Sequence, residues 1–435
     1  MTETRGALVI GGNLNGLSIA RSLGRRGIPV WIVSTPNIRL ASWSRYVRRT
    51  FCWLDDDSER QAAYLLDLAE RHQLNQWVLL PTSDETAALL AKFHAALSLR
   101  FRVSTPTWDV LRWAYDKRLT YQLAAEQNIA FPVTFYPKNA DDLKSGNLNF
   151  PVILKPATHK VTSRFTADKA WPAATQEELL SLYRKAREVI PPDLILVQER
   201  IPGGGEAQFS FAALCRDGEP IAFLTARRTR QYPVDFGYSS SFVETLDVPE
   251  IVPPSRRLIR ATRYTGLVEI EYKLDARDGR FKLLDINPRL WTWATLGARA
   301  GTDFPYLLWS MLVGEQVHKR TARAGVRWVR MSTDIPAALH DIFRGRLGLR
   351  EYLRSLRGPI EFALVAKDDP LPGVLDIPMF FFKHLSKAYE SFRGFLRKNP
   401  ERGVSFSTLV RTASSGTQSR LVPKNRPTVL ERESK

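Results

Sequence analysis

Acidic and amide side chains alternate with apolar residues along two neighbouring stretches of this chain. Glu269 and Glu271 are two residues apart, and so are Asp285 and Asn287. The two-residue period of a β-strand therefore places each pair on one face of its strand. Facing carboxylates repel unless a cation lies between them, and carboxylate and amide oxygens are the ligands that Mg2+ prefers. Arg289 follows two residues later and could bind an anion at the same place. From these residues alone, a magnesium site and a hairpin with solvated acids are equally good interpretations.

A β-hairpin must position these side chains. Alternating apolar and polar residues predict strands over residues 266–275 and 281–287. The connecting residues 275–280 have the composition of a turn, and Gly279 can adopt the positive φ that such turns require.

The start of the chain predicts a small doubly wound α/β domain over residues 1–107. An apolar strand over 7–10 leads into a glycine-rich turn at 11–16, and a helix over 17–26 and a strand over 30–33 complete a βαβ unit. The glycine spacing is G-G-x-x-x-G rather than G-x-G-x-x-G, and no acid follows the second strand. We therefore favour a structural or substrate-facing role over nicotinamide or flavin binding.

A strand predicted over residues 77–81 ends at a polar run that contains Ser83 and Asp84. Ligands of open parallel sheets bind beyond the carboxyl ends of the strands, so this run could face a substrate. Serine and aspartate are also good N-caps, here for a helix predicted over 85–95, and we favour that role.

Two lysines follow in contexts that suit an anionic ligand. Residues 108–128 predict one helix, which contains Lys117. Lys155 ends an apolar strand over 149–156, where a lysine needs an anionic partner. The polar residues 159–169 predict a flap.

The next stretch combines glycines and arginines. A strand over 194–202 runs into three glycines at 203–205, which allow either a hinge or a close approach of the backbone to a ligand. A strand over 219–226 then leads into a cluster that includes Arg227 and Arg230, which suits a phosphate.

In this order the motifs resemble those of the ATP-grasp superfamily, nearest to its carboxylate–amine ligases of the carbamoyl-phosphate synthase and D-aspartate ligase type. The resemblance covers residues 5–310. It is carried by Asp116-Lys117 with Thr120-Tyr121, Val152-Ile153-Leu154-Lys155-Pro156, Val197-Gln198-Glu199-Arg200-Ile201-Pro202-Gly203, residues 266–273 and Asp285-Ile286-Asn287-Pro288-Arg289.

The resemblance implies a mixed α/β and α+β fold, in which a small domain precedes two lobes, at about residues 108–200 and 201–315, that clasp ATP. It implies ATP and Mg2+ (or Mn2+) as cofactors. The implied cofactor-binding residues are Lys117, Lys155, Gln198, Glu199, Arg200, Ile201, Glu206, Arg227 and Arg230; the implied metal ligands are Glu271, Asp285 and Asn287; the implied catalytic residues are Arg289 and Lys155. Glu269 is set aside as a structural neighbour of the metal ligands.

The activity that the resemblance implies is ATP-dependent ligation of a small carboxylate to an amine. The carboxylate would be activated as an acyl phosphate, and ADP and phosphate would be released. Carboxylation or phosphorylation on the same scaffold is the first alternative, and a non-catalytic nucleotide-binding regulator is the second. The retained acids and Arg289 argue against the regulator.

Bulk composition agrees with a soluble protein of several domains. The chain has 435 residues, too many for one core, and is 44% hydrophobic and 25% charged. Its two cysteines, Cys52 and Cys215, form neither a disulfide framework nor a metal-ligand cluster. No secretory signal or membrane-spanning run is evident, so we expect a cytoplasmic protein.

Positive charge is concentrated near the C-terminus. The net charge is +18; residues 316–435 contain 23 Lys/Arg and 11 Asp/Glu, or 23 − 11 = +12, which leaves 18 − 12 = +6 for the rest. We expect a basic, aromatic extension over 316–400 and a disordered tail over 401–435. The extension either packs on the enzyme, which we favour, or contacts an anionic membrane at its inner face. The sequence leaves the oligomeric state undetermined, and we expect no specific nucleic-acid partner.

Overall fold

A computed structural model describes residues 5–36, 39–53, 57–146, 148–158, 165, 170–234, 239–376 and 378–380. Residues 1–377 form one compact unit. The predicted tail over 401–435 and the predicted flap over 159–169, except Phe165, lie outside the described residues.

The strands are β1 (Ala7–Ile10), β2 (Val30–Ser34), β3 (Val47–Cys52), β4 (Val78–Pro81), β5 (Arg102–Val103), β6 (Thr134–Phe135), β7 (Val152–Pro156), β8 (Trp171–Ala173), β9 (Ile195–Glu199), β10 (Gln208–Arg216), β11 (Glu219–Tyr232), β12 (Ser239–Thr245), β13 (Gly266–Asp275), β14 (Arg280–Asn287), β15 (Arg320–Thr321), β16 (Arg327–Val329) and β17 (Ile360–Phe362). The helices are α1 (Leu14–Gly24), α2 (Ser58–His72), α3 (Asp84–Lys92), α4 (His94–Ser98), α5 (Trp108–Tyr115), α6 (Lys117–Glu126), α7 (Ala140–Ser145), α8 (Gln176–Arg187), α9 (Val252–Ala261), α10 (Thr295–Arg299), α11 (Phe304–Val313), α12 (Met331–Phe343) and α13 (Leu349–Ser355). In the described part of the chain, no helix is both long and apolar enough to cross a membrane.

The first sheet is parallel, with the strand order β3-β2-β1-β4-β5. The predicted doubly wound arrangement is therefore confirmed. Its glycine-rich turn is tightly packed: Gly11 has φ +123°, and a side chain there would overlap Thr82, while one at Gly16 would overlap the Gly11 carbonyl. These glycines are explained by packing between the turn and β4.

The second sheet is antiparallel and four-stranded, with the order β6-β9-β7-β8. Leu154, Val197 and Tyr183 belong to the core on which helix α8 packs. This sheet carries both Lys155, near the end of β7, and Gln198, in β9. The apolar strands therefore explain why these two polar groups are brought side by side.

The third sheet has eight strands in the order β14-β13-β10-β11-β12-β16-β17, with β15 paired to β11. The predicted hairpin, formed by β13 and β14, lies at one side of this sheet, and β14 is the edge strand. Strands β15, β16 and β17 come from the stretch expected to be a separate C-terminal extension, yet they pair with β11, β12 and each other. The predicted extension therefore adds strands to the third sheet and is not separate from it.

The single helix predicted over 108–128 is wrong in one respect, because it is broken at Asp116. Asp116 is extended, with φ −105° and ψ 114°, and its carboxylate accepts a hydrogen bond from the Arg118 N–H. An aspartate that bonds the backbone ahead of it favours a helix start over a helix interior. The break places Lys117 in the first turn of α6.

Candidate active site

The hairpin that carries the acids forms with the predicted strands and turn. Strands β13 and β14 pair so that Glu269 lies opposite Asn287 and Glu271 lies opposite Asp285. Gly279 takes φ +69° in the turn. The register brings all four polar side chains into one cluster, which we call the acid cluster.

Hydrogen bonds connect Asn287 to the two glutamates of the acid cluster. The Asn287 Nδ2 donates to Glu269 Oε2 at 3.2 Å and to Glu271 Oε1 at 3.1 Å. Ser210 in β10 donates from Oγ to Glu269 Oε1 at 2.9 Å. Glu269, which is not among the predicted metal ligands, is the most buried acid of the acid cluster, with 3% of its surface exposed.

Burial raises the pKa of Glu269 above the ordinary range of a glutamate, and the charge of Glu271 adds to the increase. Arg228 and Arg289 and the Ser210 hydroxyl oppose it. Two carboxylates in so small a buried space favour a positive partner.

Arg289 joins this cluster to the first domain. Its Nη2 donates to Asn287 Oδ1 at 3.2 Å, while Nε and Nη2 contact the two carboxylate oxygens of Asp84 at 3.0 and 3.1 Å. Burial lowers the pKa of Arg289, but Asp84, Glu269 and Glu271 outweigh burial and raise it overall. The guanidinium therefore stays charged beside the acids.

The Asp84 contact corrects an expectation from the sequence. Ser83 caps α3 through a reciprocal hydrogen-bonded pair with Thr86, as predicted. Asp84 instead points its carboxylate at Arg289, so the end of β4 does face the candidate site.

Lys117 and Asp285 form an ion pair. The lysine Nζ donates to both Asp285 oxygens, at 2.9 and 2.8 Å, and Lys117 is buried. A predicted phosphate contact and a predicted metal ligand thus form an ion pair with each other. Asp285 can coordinate a cation only if it shares or releases the lysine.

Lys155 lies in a second polar chain. Its Nζ donates to Gln198 Oε1 at 3.1 Å, and Gln198 Nε2 donates to Thr134 Oγ1 at 2.8 Å. The buried Gln198 side chain therefore orients the lysine.

The segment predicted to bind adenine has much of its polar capacity in use. The N–H groups of Glu199 and Arg200 donate to the carbonyls of Val133 and Pro151. The Glu199 carboxylate accepts from Arg277 and Lys282 at 2.8 and 3.1 Å. Burial raises the pKa of Glu199, but the Val133 N–H, Arg277 and Lys282 outweigh it, so the pKa is lowered overall. The Glu199 side chain thus links β9 to the hairpin through Arg277 and Lys282.

Lys273, which the sequence did not single out, ties this segment to β13. Its Nζ donates to the carbonyl of Ile201 at 3.0 Å and to that of Gly203 at 2.6 Å. Glu206 is exposed and accepts from the Gly204 N–H at 2.8 Å. The glycine run is therefore held at both ends rather than free to hinge.

The arginine cluster is divided among three partners. Arg227 pairs with Glu244 at 2.6 Å, and Arg230 binds both oxygens of Asp334 at 2.9 Å. The structure therefore brings neither residue to the acid cluster. The intervening Arg228 is the one that approaches Glu271, at 3.4 Å. Irregular pairing between β11 and β12, between Arg228 and Arg230 and again after Arg230, changes which side chains share a face, and no signal in the sequence indicates it.

The donor set of the acid cluster fits a hard divalent cation. Glu271, Asp285 and Asn287 offer carboxylate and amide oxygens from cross-strand positions, with Glu269 beside them. Among the described residues, no three His, Cys, Asp or Glu side chains are grouped so as to hold a metal ion, and this includes Glu269, Glu271 and Asp285. The predicted ligand set of two acids therefore depends on the Asn287 amide.

Comparison with known proteins identifies the class of fold. Residues 192–334 match a family model described as "ATP-grasp in the biosynthetic pathway with Ter operon". This stretch contains the glycine run and the whole hairpin with Arg289.

Particular relatives extend the likeness. A D-aspartate ligase of Enterococcus faecium (strain Aus0004) is 24% identical over 225 residues, which are 49% of this chain and 53% of that protein. The chain thus spans about half the length of this curated relative.

Solved structures match over a longer stretch. The L-amino acid ligase of Bacillus licheniformis superimposes with a TM-score of 0.57 at 16% identity, over 72% of this chain and 75% of that one. The biotin carboxylase domain of the Hydrogenobacter thermophilus 2-oxoglutarate carboxylase, in complex with magnesium ADP and bicarbonate, gives 0.60 at 13% identity, over 75% and 74%. This chain therefore has the ATP-grasp fold, and the predicted resemblance to its carboxylate–amine ligases is confirmed.

Proposed function

We propose that this chain is an ATP- and Mg2+-dependent ligase that joins a small carboxylate to an amine and releases ADP and phosphate. The observation that carries the proposal is the acid cluster, in which Asn287 bonds Glu269 and Glu271 while Arg289 bonds Asn287. The ATP-grasp fold and the ligases among the similar proteins support it.

In this proposal Glu271, Asp285 and Asn287 hold Mg2+, which when bound would neutralise charge on the nucleotide phosphates. Lys155 and Lys117 contact phosphate oxygens, with Lys117 exchanging Asp285 for the nucleotide. Residues Gln198, Glu199, Arg200 and Ile201 line the adenine, and Glu206 contacts the ribose. Arg227 and Arg230 are not assigned a phosphate, because their partners, Glu244 and Asp334, lie outside the acid cluster.

The reaction needs two steps because a carboxylate lacks a good leaving group. The carboxylate oxygen attacks the γ-phosphorus, the bond to the β-phosphate oxygen breaks and ADP leaves. The amine nitrogen then attacks the acyl carbon, the bond between that carbon and the bridging phosphate oxygen breaks, and phosphate leaves as the nitrogen loses a proton. In this proposal Arg289 holds the reacting carboxylate or the transferred phosphoryl group, where its charge stabilises the negative charge that develops.

The test is ADP and phosphate release from Mg-ATP across a panel of amino acids and small acids, each with and without an amine. We expect release in equal amounts, dependent on both substrates. Asn287→Ala should abolish it, because the amide is central to the cluster, whereas Asn149→Ala, an exposed asparagine before β7, should leave it unchanged. Turnover by a folded Asn287→Ala protein would contradict the assigned metal role. Release that depends on bicarbonate instead of an amine would favour carboxylation.

A further inference from the structure

Helix α12 buries its small residues and exposes its large apolar ones. Its buried side chains are Thr333, Asp334, Ala337 and Ala338. Ile335, Leu339 and Phe343 follow one another at four-residue spacing and are exposed, Phe343 to 85%. A helix that packed only for its own burial would turn this stripe inward.

A buried ion pair fixes the rotation of α12. The Arg230 guanidinium donates from Nε and Nη2 to the two Asp334 oxygens, each at 2.9 Å, and Ser241 Oγ donates to Asp334 at 3.0 Å. Arg230 also lies 4.1 Å from the centre of the Phe242 ring. Rolling the helix to hide its apolar stripe would break this pair, so the stripe is held outward.

The same arginine holds the next helix, α13. Arg230 Nη1 donates to Ser355 Oγ at 3.2 Å, and the guanidinium lies 5.1 Å from the Tyr352 ring centre. Leu349 and Leu353 of α13 are exposed. Nine of the thirteen exposed large apolar side chains in the described part of residues 1–377 lie between residues 335 and 374. Their concentration in one part of the chain indicates an interaction surface rather than scattered exposure.

Arginines accompany these apolar residues. Residues 343–357 contain five arginines and one acid, or 5 − 1 = +4, and the five, Arg344, Arg346, Arg350, Arg354 and Arg357, are all exposed. Together with Ile335, Leu339, Phe343, Leu349 and Leu353 they form what we call the basic apolar face.

We propose that the basic apolar face docks on an anionic lipid bilayer surface. A bilayer offers both negative headgroups and an apolar layer beneath them, which match exposed arginines beside large apolar side chains. The inference does not depend on the proposed catalytic activity.

Charge argues against two other occupants. A second copy that used the same face would oppose arginines to arginines. Residues 381–435 contain 12 Lys/Arg and 4 Asp/Glu, or 12 − 4 = +8, so they too carry the wrong charge to cover the face. They have the right charge to join it at an anionic surface.

The test is co-sedimentation of the full chain with vesicles of phosphatidylcholine and phosphatidylserine, and with phosphatidylcholine alone. We expect binding only to the anionic vesicles, weakened by added salt. The double variant Leu339→Glu/Phe343→Glu should lose at least about tenfold in affinity, since it adds negative charge and removes apolar contact. Leu99→Glu, at a leucine that is 80% exposed and lies outside this face, is the control and should bind like the unmodified chain.

Several results would overturn the proposal. Equal binding to both kinds of vesicle, no binding, or unchanged affinity of the double variant would each do so. A dimer in size-exclusion chromatography that the double variant alone dissociates, without vesicle binding, would make the face an interface between copies. Melting temperatures near that of the unmodified chain would show that both variants fold.

Discussion

Within the acid cluster, single side chains serve more than one neighbour. Asn287 Nδ2 bonds two glutamates, and its Oδ1 accepts from Arg289. Replacing one of these side chains therefore alters both the net charge of the acid cluster and the positions of its other side chains. Effects of substitutions here should be coupled rather than additive.

Glu271→Gln should raise the Mg2+ concentration needed for half-maximal ADP release by at least about tenfold, because a neutral amide is a weaker ligand than a carboxylate. The measurement is ADP release over a magnesium titration at saturating ATP, and chelation by EDTA should stop release in both proteins. Glu219→Gln is the control, because Glu219 is partly exposed, is the first residue of β11 and pairs with Arg256 and Arg260 of α9. An unchanged magnesium titration would remove Glu271 from the ligand set.

The sequence was informative where chemistry is local and uninformative where it depends on distant pairing. The alternation around Glu271 and Asp285 predicts the hairpin, because adjacent strands joined by a turn leave few other arrangements. The contact of Lys117 with Asp285 joins residues 168 apart in sequence. Nothing in either local pattern indicates it, because both residues suit a phosphate or a metal equally well.

Among the elements, α3 contributes to the site from the side of the parallel first sheet, whereas the acid cluster lies on the third sheet. It begins directly after β4, so its first residue, Asp84, lies at the carboxyl edge of the parallel sheet. This edge is where ligands of such sheets bind, which makes the contact with Arg289 a general consequence of the fold. The sequence alone favours a capping role because serine and aspartate are both good N-caps. In the structure Ser83 caps α3, and the Asp84 carboxylate contacts Arg289 instead.

Asp84→Asn should lower turnover by about ten- to hundredfold, because a neutral partner holds the Arg289 guanidinium less firmly. The KM for ATP should change little, since Asp84 positions Arg289 and does not itself contact the nucleotide in our proposal. Glu85→Gln removes the same charge from the same helix terminus but from an exposed side chain, and should retain full turnover. Normal turnover in a folded Asp84→Asn protein would show that Arg289 does not need this partner.

At the scale of the whole molecule, the chain after β17, the last strand of the third sheet, returns to the first sheet and contacts helix α1. Arg21 of α1 donates from Nε to Asp369 Oδ2 at 2.9 Å and from Nη2 to the carbonyls of Leu364 and Asp369. Ser44 Oγ donates to the same carboxylate at 2.7 Å. The sequence of this stretch does not indicate these contacts, because a partner more than 300 residues away leaves no local pattern.

Asp369→Asn should destabilise the protein by about 3–5 kcal/mol, because it leaves the buried Arg21 without its carboxylate. The free energy of unfolding from urea titration is the measurement. Asp368→Asn is the matched control one residue away: its partner Arg25 is about as exposed as Asp368 itself, so its loss should cost no more than about 1 kcal/mol. Equal effects of the two substitutions would mean that the Asp369 contact does not fasten the C-terminal stretch.

The Asp368 contact should nevertheless depend on pH. Hydrogen bonds from Arg25, and from the Tyr46 hydroxyl at 2.6 Å, lower the pKa of Asp368 below its usual range despite some desolvation. A carboxyl whose pKa is lower in the folded than in the unfolded chain stabilises the fold above its unfolded pKa and loses that contribution as pH falls. The small difference in unfolding free energy between the unmodified chain and Asp368→Asn should therefore be constant near neutral pH and shrink below about pH 4. Urea titrations at several pH values would measure it, and a difference that grew in acid would contradict the assignment of this ion pair.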